Sequence, residues 1–159
     1  WVLLTSLPCE TLAQCMKVVK LYAARWLVEE YHKALKTGTG VEESQLETAA
    51  ALEALIAVLA LVAVRLLGLK LVARTEPQKA VEVGALGPEV WAILAAKYGR
   101  PPGGWTARTT LVAIARLGGF LARKGDGDPG WLTIWRGWQR LMHLAEGYLL
   151  AGQRSARCG

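Results

Sequence analysis

Apolar and polar positions fall into blocks whose period changes at clear breakers. Trp1-Val2-Leu3-Leu4-Thr5 is a short, strand-like apolar run closed by Pro8 and Cys9. From Glu10 the period becomes helical and lasts to Lys36, where Thr37-Gly38-Thr39-Gly40 stops it. The pattern therefore predicts a strand followed by a long helix. A second helix is predicted from Gln45 to Ala73, apolar nearly all round at its centre, which implies burial on more than one face. Pro77, Gly84, Gly87 and Pro88 then bound two short helical stretches, Lys79–Val83 and Glu89–Tyr98. Gly99-Arg100-Pro101-Pro102-Gly103-Gly104 reads as a linker.

Two further helices, Trp105–Lys124 and Trp131–Leu150, flank the turn Gly125-Asp126-Gly127-Asp128-Pro129-Gly130 and suggest a helical hairpin. In the last one Trp131, Trp135, Trp138, Met142, Ala145 and Leu149 are spaced 4, 3, 4, 3 and 4 apart, a heptad seam. Two readings stay open: a core against the preceding helix, or a surface for self-association. Gly118-Gly119 within a helix costs about 1 kcal/mol per glycine relative to alanine and points to a close helix approach or a kink. The polar tail after Gly152 is expected to fray. These blocks divide the chain at 1–75, 76–104, 105–152 and 153–159.

Composition narrows the classes. With 159 residues, 53% of them apolar and 20% charged, the chain can build a core, which excludes general disorder. It opens at Trp1 without a basic leader, as a piece of a longer protein would. Mean hydropathy is +0.26, yet the longest uncharged stretch of the greasiest region runs only from Ala54 to Val64. A span needs about 20 residues, so a buried helix and no membrane are expected. Cys9, Cys15 and Cys158 are odd in number and form no CxxC pair, so neither a disulfide framework nor a zinc cage is indicated and a reducing, cytoplasmic setting is expected. The net charge of +6 is concentrated at the C-terminal end: residues 105–159 hold 8 basic and 3 acidic side chains. That balance suits a polyanion or an acidic partner.

At about 100° per residue, Tyr22, Arg25, Glu29, Lys33 and Lys36 project within one sector of the first long helix, with Ala24, Leu27, Val28, Tyr31 and Leu35 on the other side. A phenol, a guanidinium, a carboxylate and two ammonium groups in a row suit a phosphodiester and its metal. The cations neutralise phosphate oxygens, the phenol donates a hydrogen bond, and the carboxylate ligates a hard divalent ion. The same row is also a plain solvated face, because Glu29 and Lys33 form the favoured i, i+4 ion pair and Arg25 lies one turn before Glu29.

Tyr22-x2-Arg25-x3-Glu29-x6-Lys36 resembles the YREK signature of bacterial insertion-sequence transposases of the DDE class, the cut-and-paste family that includes the kanamycin-resistance transposon enzyme. Arg25-Trp26-Leu27-Val28-Glu29-Glu30-Tyr31-His32-Lys33 continues the likeness, as do Val62–Leu67, Ala113–Phe120 and Trp131–Trp138. The resemblance implies a mainly α chain: one short N-terminal strand and a long helix left from an RNase H-like catalytic domain, then a helical C-terminal region used for assembly. It implies that Glu29 is the third acid of a site holding Mg²⁺, with Mn²⁺ as a substitute, for hydrolysis and strand transfer. Tyr22, Arg25 and Lys36 would grip phosphates of transposon-end DNA and Lys33 would add a contact. Trp1, 21 residues before Tyr22, would receive a flipped base, with Trp26 beside the DNA; each is equally readable as a core or covering residue. Trp131, Trp135, Trp138 and Met142 would pair two copies in a homodimer, and the host would be a bacterium.

Asp126 and Asp128 are the sole aspartates and sit in a Gly/Pro turn, so they cannot be the family's first two acids, which would lie upstream of Trp1. The piece by itself should then be inactive. Gly125-Asp126-Gly127-Asp128 lacks the later glutamate of a calcium loop, Lys36–Gly40 follows a helix and is no P-loop, and His32 and His143 have no ligand-spaced partners. The competing class is a non-enzymatic helical module whose basic half binds DNA or an acidic protein.

Overall fold

The structure, a computed structural model, describes residues 2–82 and 86–157, the last four without their side chains. Among the described residues it is mainly helical and contains no strand. The elements are α1 (Leu12–Ala23), α2 (Trp26–Lys33), a π-helical turn (Ala34–Gly38), a 3-10 turn (Val41–Glu43), α3 (Ala49–Thr75), α4 (Pro88–Tyr98), α5 (Ala107–Leu117) and α6 (Trp131–Arg157).

The expected N-terminal strand is absent over residues 2–5, where Val2 and Leu4 are 89% and 98% exposed. A strand exists through its ladder, and among the described residues none pairs with this segment to supply one. Trp1 itself lies outside the described residues. The expected long helix is divided instead of continuous. Thr11 and Gln14 form a capping box that starts α1. At its end Arg25 N–H bonds to Tyr22 O and Leu27 N–H to Ala24 O, each 3.0 Å. These three-residue bonds tighten the chain for one turn before α2 begins.

α3 starts at Thr48, whose side chain accepts from Ala51 N–H. Its all-round apolar centre predicts burial on several faces, but only its second half achieves it. Ala63, Leu66 and Ala73 are buried, whereas Val58, Leu61 and Val64 are more than half exposed. By length and composition α3 could cross a membrane, with 17% of its most apolar stretch buried. Its second half carries Arg65 and Lys70 and packs on α5 from Val62 onward, leaving residues 49–61 outside the core, fewer than the about 20 that a span requires.

The expected helix at Lys79–Val83 is not formed over its described residues. Ala80 makes an antiparallel bridge to Thr106, with Val81 N–H on Trp105 O and Ala107 N–H on Lys79 O. Five residues after Pro77 are too few to repay helix nucleation, and the extended chain finds partners at the entry to α5. α5 is also shorter than the predicted Trp105–Lys124: a Thr106/Thr109 capping box opens it and Gly118 closes it, with Gly119 at φ +98°. α6 runs past Gly152 to Arg157, through the segment expected to fray.

α5 is the central helix. Leu111 and Ala115 pack with Leu66, Trp131 and Ile134 on one side, while Ala113, Ile114 and Leu117 pack with Leu94 and Leu141 on the other. The α5–α6 crossing is backbone to backbone. A Cβ on Gly137 would stand 1.8 Å from Ile114 O, and one on Gly118 would stand 1.9 Å from Thr133 O. Glycine is required at both positions by this approach.

Candidate nucleic-acid interface

The tight turn between α1 and α2 sets three of the five row residues side by side. The Arg25 guanidinium carbon lies 5.9 Å from the Tyr22 ring centroid, and Arg25 Nη1 donates to Glu29 Oε1 at 2.7 Å. The Arg25 and Glu29 side chains are 60% and 63% exposed, so the trio is open to an incoming ligand. Hydrogen bonding to Glu29, with the attraction of its charge, raises the Arg25 pKa above its ordinary value. The guanidinium stays charged in any case.

Lys36 does not join the trio. It lies in the π-helical turn, whose extra residue per turn changes the phase, and its Nζ pairs with Glu42 Oε1 at 2.7 Å. Lys33 is exposed on the last turn of α2. Trp26, 40% exposed, lines a separate cavity of about 230 Å³ with Glu30, Lys70, Arg74 and Asp128.

Sequence reasoning missed the contact that fixes α2 to the rest of the chain. Trp131 Nε1 donates to Glu30 Oε2 at 3.0 Å, Lys70 Nζ stands 3.7 Å from the same oxygen, and Lys70 lies 4.4 Å from the Trp131 ring centroid. Glu29 and Glu30 are neighbours with opposite fates: one faces water, and the other links α2, α3 and α6. Lys70 in the apolar stretch between Arg65 and Arg74 was the available signal, because a half-buried cation there needs an anion and an aromatic face. Burial lowers the Lys70 pKa, opposed by the charge of Glu30.

The predicted Trp seam is turned inward. Trp131 is buried, and Trp135, Trp138 and Met142 are partly buried against the chain's own core. Of the two readings of this seam, the contact with the preceding helix is present: α5 occupies that face, where Gly118 and Gly137 let the two backbones touch. Among the described side chains, the exposed large apolar residues of α6 are Leu132 at its start and Leu144, Tyr148, Leu149 and Leu150 beyond the seam.

Glu29 is an exposed hard oxygen donor and fits as a single ligand for a divalent cation. The set is incomplete, because among the described residues no three His, Cys, Asp or Glu side chains gather at one place. The arrangement on α2 can therefore grip a phosphate and offer one carboxylate.

Residues 61–158, more than half of the chain, match the family described as transposase Tn5 dimerisation domain. The match opens at Leu61, where α3 passes from exposed to buried.

Proposed function

The chain belongs to the transposase Tn5 dimerisation family, and we propose that it is the C-terminal part of a DDE-class transposase acting on transposon-end DNA. In this reading residues 1–75 come from the end of an RNase H-like catalytic domain. The helices that follow assemble two copies in the bacterial cytoplasm. The observation that carries it is the Tyr22–Arg25–Glu29 trio, whose spacing follows the YREK signature and whose polar atoms face solvent.

Arg25 and Tyr22 hold a phosphate beside Glu29, with Arg25 presenting a fork suited to two phosphate oxygens. Lys36 exchanges Glu42 for a phosphate oxygen when DNA arrives, and Lys33 adds a second cation. Trp1 would receive a base flipped from the transposon end, and Trp26 would flank the DNA. Glu29 would contribute one carboxylate to a Mg²⁺ site whose other ligands are not among the described residues, and a cation held there would supply activation of the attacking oxygen for an in-line displacement at phosphorus. Exposed Tyr148, Leu149 and Leu150 on distal α6 are the apolar surface left for pairing two copies, with the Trp131–Met142 seam supporting them from within.

The test is Glu29→Ala in the full-length transposase. Mg²⁺-dependent cleavage of transposon ends should disappear while end binding persists. Cleavage at the wild-type rate would remove Glu29 from the chemistry. The alternative, a non-enzymatic helical module with a solvated charged face, is favoured by the Arg25–Glu29 and Lys36–Glu42 ion pairs. It requires that Arg25→Ala and Lys36→Ala leave the salt dependence of DNA binding unchanged.

A further inference from the structure

Apart from the α2 row, the cations of the C-terminal half form a band of their own. Of the 8 basic residues between 105 and 159, all but Lys124 are arginine, whereas residues 1–48 hold a single arginine among 5. A shallow cavity of about 320 Å³ between the end of α4 and the outer face of α5 is lined by Tyr98, Arg100, Trp105, Arg108 and Arg116. A second, of about 370 Å³, opens at the Gly118–Gly119 end of α5 and is lined by Arg136, Arg140 and His143.

Tyr98 joins the two. The Arg116 guanidinium carbon stands 5.9 Å from its ring centroid, and the charges of both Arg116 and Arg140 reach its phenol. Arg140 is held in place by donating to Leu117 O at 3.1 Å. No carboxylate lines either cavity. Arg108 is already paired with Asp128, whereas among the described residues no ion pair engages Arg100, Arg116, Arg136 or Arg140.

The chemistry of the band selects its ligand. Planar guanidinium forks match phosphate oxygens two at a time, and their orientation here is set by ring and backbone contacts. A single strand would need open aromatic faces on which bases stack. None is free in this band: Trp105 lies against Trp91, with ring centroids 5.8 Å apart, and Tyr98 is covered by Arg116. We propose that the α4–α5–α6 arginine band binds the phosphate backbone of duplex DNA without reading its sequence, as a second DNA contact on the dimerisation helices, separate from the α2 row.

Binding of the 159-residue chain to a fluorescent 30-base-pair duplex of unrelated sequence, followed by anisotropy from 50 to 300 mM NaCl, tests this. Each phosphate contact contributes about 0.9 to the slope of log K against log salt. Arg100→Gln with Arg116→Gln should therefore flatten the slope by about 2 and weaken binding at 100 mM about tenfold or more, whereas Arg100→Lys with Arg116→Lys should keep most of the slope. Both positions are exposed, so an unchanged circular dichroism spectrum is expected for each variant. Three results overturn the proposal: no binding of duplex by the unaltered chain, an unchanged slope in the double Gln variant, or tighter binding of poly-glutamate than of DNA. A slope lost in Arg25→Gln with Lys36→Gln but kept in the Arg100/Arg116 pair sinks the band and spares the α2 row; the converse spares the band.

Discussion

Residues 2–60 and residues 61–157 are both rich in apolar side chains, yet among the described residues nearly all of the core lies in the second stretch, with Ala34 the buried apolar side chain that the first adds to it. In the first, α1 and α2 contain no buried residue, and Leu12, Val19, Leu21 and Val28 are all about half exposed or more. In the second, Leu94, Leu111, Ile114, Ile134 and Leu141 are fully buried. Hydrophobicity supplies the driving force, but burial requires a facing element of matching shape. α5 finds α4 on one side, α3 on the other and α6 across it; α1 finds nothing comparable within the chain. The division falls inside α3, which makes one helix a direct comparison of the two conditions.

The α5–α6 crossing is where that comparison breaks most sharply. Gly137→Val puts three carbons where a single Cβ already overlaps Ile114 O, and the helices must separate. The expected loss is about 3–5 kcal/mol, about 10 °C or more in thermal midpoint. Gly147 lies in the same helix with nothing within 4 Å of its Cβ position. There Gly147→Ala should raise stability by about 0.5–1 kcal/mol through helix propensity. A thermal melt that moves both variants in the same direction would contradict the crossing.

Within α3 the contrast is smaller and more specific. Leu66, 4% exposed, should lose about 2–5 kcal/mol on Leu66→Ala. Val58, 61% exposed, should stay within about 0.5 kcal/mol on Val58→Ala. Urea unfolding of both variants measures the difference. A cost above about 1.5 kcal/mol for Val58→Ala would mean that the first half of α3 is covered in solution, and the comparison would need a second surface.

Much of this organisation is legible in the residues. Pro88 bounds α4 as the pattern predicts, whereas the caps at Thr11, Thr48 and Thr106 and the stop at Gly118 set the other ends away from the bounds that periodicity gives. The Gly118-Gly119 pair signals a close approach, which the crossing displays. What periodicity could not give is which apolar face finds a partner. It treats both halves of α3 alike and makes the Trp131–Met142 seam equally a core and a surface. The strand at Val2–Thr5 and the helix at Lys79–Glu82 fail for a related reason: pairing across the chain outweighs local preference. On α2 the spacing locates Tyr22, Arg25 and Glu29, but a straight helix cannot foretell the π turn that carries Lys36 to Glu42.

The smallest expected effect tests how the two regions are joined. Glu30, Lys70 and Trp131 link α2 to the core, with the Lys70 and Glu30 side chains only 22% and 25% exposed. Burial holds the Lys70 pKa below the lysine value of 10.5, while Glu30 pulls it back up. Between its folded pKa and 10.5 the unfolded chain binds more protons, so this group makes stability rise with pH there, and its full penalty is felt below that window. Glu30→Gln leaves an amide oxygen for Trp131 Nε1 and removes only the charge, so the Lys70 pKa should fall further. The variant should lose about 0.5–1 kcal/mol at pH 7, and the loss should shrink as the pH rises toward 10.5, through the window in which the folded ammonium gives up its proton. Urea unfolding at the two pH values decides it: an equal deficit at both would assign the join to the Trp131 hydrogen bond and packing, with no share for the ion pair.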